Sequence, residues 1–330
     1  VFVTLAAGVV VLAAAACGGG DDSDASPTAF PTSSDPADRV PEEVRSDLNL
    51  VLAVSDLVVG ENNVAFGLTD KDDEPVRLSD AKATFFVQVD GGQFEAVASA
   101  NAVLSAPGVG EQVQHTHAGG EAHTHGGEDD NRVVYFVPMT FDRPGPWGIV
   151  VEATLPDGSK AQSNVGFIVQ EKSDLLLPGD KAYASDNLTK NDVDDIKKID
   201  SGDPPNGMHE VKIKDALAGG RPLLVVLSTP AYCLSRFCGP VTEEMDALND
   251  QYKNRVDFVH IEVWLDFNAQ QLNPTAAEWL QRSDGGLSEP WVYLIDKDGV
   301  VYDRWEGAAS AAVVEPKLKA VAEGATWATR

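Results

Sequence analysis

From Leu48 to about Gln170 apolar and polar residues alternate with a period of two. Short runs of this kind stand at 50–54, 64–68, 83–89, 133–137, 148–153 and 165–169, each predicting a strand. Turn-forming clusters separate them, among them Asp70-Lys71-Asp72-Asp73, Asp90-Gly91-Gly92 and Pro156-Asp157-Gly158. Short strands at this spacing predict an all-β sandwich over 48–172.

After residue 190 the period changes. A helix is expected over 210–217, followed by Leu223-Leu224-Val225-Val226-Leu227-Ser228, whose unbroken apolar run predicts a strand buried on both faces. Val241, Met245, Leu248 and Tyr252 recur at helical spacing and predict a helix over 238–254. Next come a strand over 256–263, a helix over 274–281, a hairpin of 291–295 with 300–305 around Asp296-Lys297-Asp298-Gly299, and a helix over 311–322. Strands alternating with helices predict an α/β domain over 191–330.

Residues 1–16, VFVTLAAGVVVLAAAA, are apolar and uncharged. The run falls short of the ~20 residues of a spanning helix and fits the apolar part of an export signal. Ala14-Ala15-Ala16-Cys17-Gly18 resembles the lipobox of bacterial lipoproteins, which implies that 1–17 is a lipoprotein-type signal segment with Cys17 lipidated. Residues 18–47, rich in Gly, Asp, Ser, Pro and Thr, predict a disordered acidic linker, and 173–190 a second linker between the two domains. The expected location is the extracytoplasmic face of the cell membrane, reached through the lipid anchor.

Charge narrows the partners. Lys+Arg 25 against Asp+Glu 52 leaves a net charge of −27. Nucleic acid is excluded as a default partner, because phosphate binding needs clustered positive charge. An electrostatic grip on anionic lipid is disfavoured for the same reason.

With Cys17 lipidated, Cys233 and Cys238 are the two remaining thiols, and an exported pair should be bridged or redox-active. Residues five apart on one helix lie about 8.6 Å apart at Cα. A disulfide needs less than about 7 Å. Cys233 is therefore expected on a loop ahead of the helix, with Cys238 in or near its first turn.

Four of the six histidines, His115, His117, His123 and His125, stand within a Gly- and Glu-rich loop. Imidazoles in a His-x-His repeat suit Cu or Zn. A solvated low-complexity insertion is the competing reading. No cofactor is required by anything else in the chain.

The segment from about Glu210 to Glu323 resembles the thioredoxin fold, as in exported thioredoxin or TlpA-like lipoproteins. The resemblance rests on the apolar strand, on Thr229-Pro230-Ala231-Tyr232-Cys233-Leu234-Ser235-Arg236-Phe237-Cys238-Gly239-Pro240, and on Ser288-Glu289-Pro290-Trp291. It implies a cis Pro290 opposite the dithiol, and it places Leu227 where thioredoxins carry a buried acid. His260 looks to match a buried lysine below the active site, as a proton relay or as a core histidine. Thioredoxins separate their cysteines by two residues; this chain separates them by four. Tyr232-Cys233 resembles the aromatic–Cys step of the family, and so does Phe237-Cys238-Gly239-Pro240; Cys233 is favoured as nucleophile, with Cys238 the alternative. The run from Tyr135 to Ala153 resembles immunoglobulin-like modules of the YtkA or CopC kind. These likenesses imply a thiol–disulfide oxidoreductase acting on thiols and disulfides of exported proteins. Two other resemblances compete: Sco-type copper chaperones, which would make the chain a copper-delivery protein, and the Cys-x4-Cys pattern of peroxiredoxin-like thiol peroxidases.

Overall fold

The computed structural model describes residues 48–108, 113–116, 122–125, 133–233 and 236–330, with 113–116 and 122–125 described by their backbone. Cys17 and His117, expected as lipid and metal attachment points, lie outside the described residues. No helix among the described residues is long and apolar enough to cross a membrane.

The N-terminal region holds β1 (Leu48–Leu52), β2 (Gly60–Asp70), β3 (Ala81–Gln88), β4 (Phe94–Asn101), β5 (Val103–Ser105), β6 (Val113–Thr116), β7 (Ala122–His125), β8 (Val134–Phe141), β9 (Gly145–Thr154) and β10 (Lys160–Val169). Two antiparallel four-stranded sheets, ordered β1-β2-β8-β5 and β10-β9-β3-β4, share one core. Alternation explains it: in β3 the side chains of Ala81, Ala83, Phe85 and Val87 are buried, and those between them face outward. Phe141 meets Phe85 and Trp147 edge-on, at centroid distances of 6.1 and 4.9 Å.

In this region β4 and β5 escape the apolar pattern. β4 is exposed along most of its length, so no apolar alternation marks it, and β5 has only three residues. The His-rich segment, expected as an open loop, instead pairs β6 with β7, with His115 opposite His123 in the register. Such a ladder satisfies backbone groups that an open loop would leave to water.

The C-terminal region holds α1 (Ile213–Ala218), β11 (Leu223–Ser228), α2 (Cys238–Tyr252), β12 (Asp257–Glu262), β13 (Trp264–Asp266), β14 (Gln271–Leu272), α3 (Pro274–Leu280), β15 (Trp291–Ile295), β16 (Val301–Glu306) and α4 (Ala311–Ala322). Its main sheet runs β12-β11-β15-β16, parallel between β11 and β12 and antiparallel elsewhere. Alternate residues of β11 serve opposite cores. Leu224 and Val226 pack with α2 and α4, and Leu223, Val225 and Leu227 pack with α1 and α3. That double burial is why the strand reads as one apolar run. Asn273 caps α3 by accepting from the Thr275 N–H, and Pro274 opens the helix where no N–H is needed.

Residues 173–190, expected as a linker, lie along the second core. Leu175 and Leu176 are buried there, and the N–H groups of Gly179 and Ala182 donate to the carbonyls of Val301 and Gly299.

The two regions share a core as well. Ala65, Val134 and Phe136, on the outer face of the first sheet, are buried with Tyr302, Trp305 and the apolar faces of α2 and α4. Polar ties surround this contact. Arg304 and Asp56 form a buried ion pair at 2.8 Å, and the Ser55 N–H donates to Glu306 at 2.7 Å. Glu244, on α2, accepts from the Gly108 N–H at 2.9 Å and from the Ala311 N–H at 2.6 Å, fastening the end of β5 and the start of α4 to one helix. Gly108 has φ +76° and sits so close to Pro240 that a Cβ added there would lie 3.0 Å from the proline Cβ.

Candidate active site

The end of β11, the loop from Thr229 to Phe237 and the first turn of α2 converge on one disulfide. Cys233 and Cys238 are bonded with their Cα atoms 5.9 Å apart. Cys238 is the first residue of α2 and Cys233 precedes it on the loop, as the spacing requires. Between them Arg236 has φ +61°, a left-handed conformation that a non-glycine residue adopts at a cost. The two residues differ in access: Cys238 is fully buried and Cys233 is partly exposed. Pro290 follows a cis peptide bond from Glu289 and opens β15, and its carbonyl accepts from the Gly307 N–H.

His260 lies on β12, 1 % exposed. Its Nε2 stands 3.0 Å from Ser228 Oγ, and its Nδ1 stands 2.9 Å from Asn206 Nδ2. The amide of Asn206 donates to Nδ1, which places the ring proton on Nε2. From there the bonds run in one direction. Ser228 Oγ is 2.6 Å from Thr242 Oγ1, which donates to the Cys238 carbonyl at 2.7 Å. They lead from His260 to the backbone of Cys238 and not to its sulfur. Burial pulls the His260 imidazole down to about 4, against the pull of Asp200, so the ring is neutral at pH 7.

Behind His260 sits a polar cluster that the sequence did not single out. Asp200 Oδ2 lies 3.1 Å from His209 Nε2 and accepts from the Asn206 N–H and side chain at 2.7 and 2.8 Å. Burial works to raise the Asp200 carboxyl, and His209 and His260 outweigh it, so its pKa is lowered. The donor atoms of Asp200, His209 and His260 lie within 4.8 Å of one another, and those named here are engaged in these hydrogen bonds.

Two further acids were not anticipated. Glu262, two residues beyond His260 and 4 % exposed, accepts from the Ser201 N–H through Oε2; burial pushes its carboxyl up to about 8. Glu289 brings an oxygen within 4.8 Å of both sulfurs. Its Oε1 accepts from Trp264 Nε1 at 3.2 Å, and Oε2 is buried with no hydrogen-bond partner. Burial pushes Glu289 up to about 7, against smaller opposing pulls from Thr229 and Trp264. One signal for Glu262 was present, since a charged residue interrupts a run otherwise typical of a doubly buried strand. For Glu289 the signal was its place directly before Pro290, the proline expected opposite the dithiol.

Beside the disulfide loop is a cleft of 360 Å³ lined by Lys197, Ser201, Tyr232, Glu262, Trp264 and Phe267. Tyr232 stacks on Phe267 with centroids 5.4 Å apart. A larger cavity of 760 Å³ lies at the sheet edge by Ser79, Asp80, Asn101 and Lys160, away from both sulfurs, and holds no thiol or imidazole.

Residues 210–322 match the family model described as a thioredoxin-like domain. The C-terminal part of the chain is a thioredoxin-like domain, joined to an N-terminal region of β-sheets. No curated protein matches the chain. Among solved structures, it is similar to a candidate superoxide reductase from Thermotoga maritima at 13% identity and a TM-score of 0.23, over 40% of this chain and 98% of that one.

Proposed function

We propose that the protein is a thiol–disulfide oxidoreductase using the Cys233–Cys238 pair, with thiols and disulfides of exported proteins as substrates. The observation that carries this reading is the disulfide at the start of α2, with one cysteine partly exposed and the other enclosed, in a thioredoxin-like domain. An inert structural bridge needs neither a partly exposed cysteine nor a carboxyl within 4.8 Å of both sulfurs.

The partly exposed position of Cys233, against the enclosed Cys238, favours Cys233 as the attacking group. In the reduced protein its thiolate attacks one sulfur of a substrate disulfide, forming a mixed disulfide and expelling the other substrate sulfur as a thiolate. Cys238 then attacks Cys233 Sγ, closing the internal disulfide and releasing the second substrate thiol. Two electrons pass from the dithiol to the substrate, and a dithiol reductant restores the reduced protein. Charge near Cys233 favours the thiolate, because the pair stands at the start of α2, the positive end of the helix dipole, and Arg236 stands three residues away.

The test is a pair of variants assayed on a model disulfide. Cys233→Ser is expected to abolish reduction, and Cys238→Ser to trap a mixed disulfide through Cys233. Trapping by Cys233→Ser would reverse the assignment of the nucleophile. Unchanged activity in both variants would show that the pair is structural.

A further inference from the structure

Closing the disulfide requires the Cys238 thiol to lose its proton, and that sulfur lies on a residue 0 % exposed, where bulk water cannot accept it. Resting on the oxidoreductase reading, we propose that Glu289 is the group that takes this proton and returns it to the departing substrate thiolate.

Geometry selects Glu289 among the ionisable groups nearby. Its carboxyl is within 4.8 Å of both sulfurs. Trp264 holds one oxygen, and the other is buried without a partner. A buried carboxylate oxygen without a donor is costly, and a thiol proton offers it one. In the disulfide neither sulfur carries a proton, so the acid and the sulfurs have nothing to share. Reduction supplies the missing donor at a distance that a small side-chain movement or one water can close.

The other candidates are engaged elsewhere. Both ring nitrogens of His260 are occupied by Ser228 and Asn206, and its bonds end at the Cys238 carbonyl. Asp200 is saturated by Asn206, Gly202 and His209. Glu262 gives one oxygen to the Ser201 N–H and has the other buried without a partner, but it does not join Glu289 in the group that lies within 4.8 Å of both sulfurs. The groups facing Glu289 are Thr229 from the end of β11, Trp264 from β13, Glu262 from β12 and the two sulfurs. Among them, burial places the carboxyl near neutrality, so that it both accepts and gives up a proton at physiological pH.

The step balances. In the mixed disulfide, Cys238–SH and Glu289–COO⁻ become Cys238–S⁻ and Glu289–COOH. The new thiolate attacks Cys233 Sγ, forming the S–S bond and breaking the bond to substrate. The released substrate thiolate takes the proton from Glu289–COOH, which returns to the carboxylate.

The test uses the full chain with Glu289→Gln, and with Glu289→Asp as the conservative replacement. In stopped reactions with a model disulfide, Glu289→Gln is expected to slow resolution of the mixed disulfide about 100-fold at pH 7. The Cys233 adduct then accumulates, and the defect shrinks as pH rises past the free thiol range. Alkylation of Cys233 should keep its wild-type rate, and Glu289→Asp should recover part of the loss. Thiolate absorbance of the reduced proteins provides a readout apart from turnover: Glu289→Gln is expected to remove an inflection near neutrality. Resolution at the wild-type rate across the pH range, or an unmoved thiolate titration, would overturn the role of Glu289 while leaving the oxidoreductase reading intact. A wild-type protein that forms no mixed disulfide would overturn both.

Discussion

Glu262 and His260 lie two positions apart on β12 and respond to pH in opposite senses. The Glu262 carboxyl is raised from 4.5 to about 8, so the folded protein holds a proton that the unfolded chain has released. Its contribution to stability is complete below 4.5 and is lost as pH rises through about 8. The imidazole of His260 is lowered from 6.5 to about 4, so the unfolded chain binds a proton that the folded one refuses. That contribution is present above 6.5 and is lost as pH falls through about 4. At about 1.4 kcal/mol per pKa unit, the Glu262 effect is on the order of a few kcal/mol. Glu262→Gln keeps an acceptor for the Ser201 N–H and removes the titration. Its melting temperature is expected to fall less than that of the wild type between pH 6.5 and pH 9, with both proteins losing stability alike below pH 4.5. A wild-type melting temperature that does not change from pH 6.5 to pH 9 would refute the assignment.

Residues of distinctive chemistry were legible at this scale: Cys233, Cys238, Pro290 and His260 stood out by type and spacing. Glu289 did not, because a glutamate is ordinary until its neighbours bury it. The groups that do so, Trp264 and Thr229, come from segments 25 and 60 positions earlier in the chain. For the same reason nothing in the sequence groups Asp200 and His209 with His260; the fold brings them together.

Among elements, strands and helices with one buried face were legible, and those without one were not. α4 spans Ala311–Ala322, as its pattern predicts, because Val314, Leu318 and Val321 line one side. β4 was missed because most of its residues face solvent. Residues 173–190 read as a linker, since two buried leucines amid polar residues make no period. Gly108 shows what a single position can demand of an element. Both Gly108 and Gly91 have left-handed backbones, at φ +76° and +81°, but only Gly108 has a neighbour within 4 Å of an added Cβ. Gly91→Ala is expected to cost about 1 kcal/mol, the backbone term alone. Gly108→Ala should cost clearly more, because Pro240 must give way at the start of α2. Denaturant midpoints of the two variants decide this; equal shifts would mean that the Pro240 contact carries no energy.

Over the whole molecule, the matched stretch of 210–322 is not the physical unit. It lacks the Asp200 cluster, Leu175 and Leu176, and the sandwich residues Ala65, Val134 and Phe136 that cover Trp305. It also lacks Asp56, which neutralises Arg304 where both are nearly inaccessible. Removing one partner of a buried ion pair leaves the other uncompensated, at about 3–5 kcal/mol. Asp56→Ala should therefore destabilise the thioredoxin-like domain from outside its own boundaries. Equilibrium unfolding followed through the C-terminal tryptophans reads this directly, and an unchanged midpoint would show that the two regions are energetically independent.

Glu244 gives this dependence a history as well as an energy. One carboxylate, a turn and a half beyond Cys238, holds backbone N–H groups from the sandwich and from α4 together. A domain fastened in this way is not an interchangeable cassette. A recombination that joined the redox half to a different leader module would have to supply a new donor for Glu244 and a new apolar cover for Trp305 in the same event. Single crossovers are thus poor routes to variants of this architecture, and the two halves are constrained to diverge together, with change on the outer face of the first sheet matched by change on α2, β16 and α4.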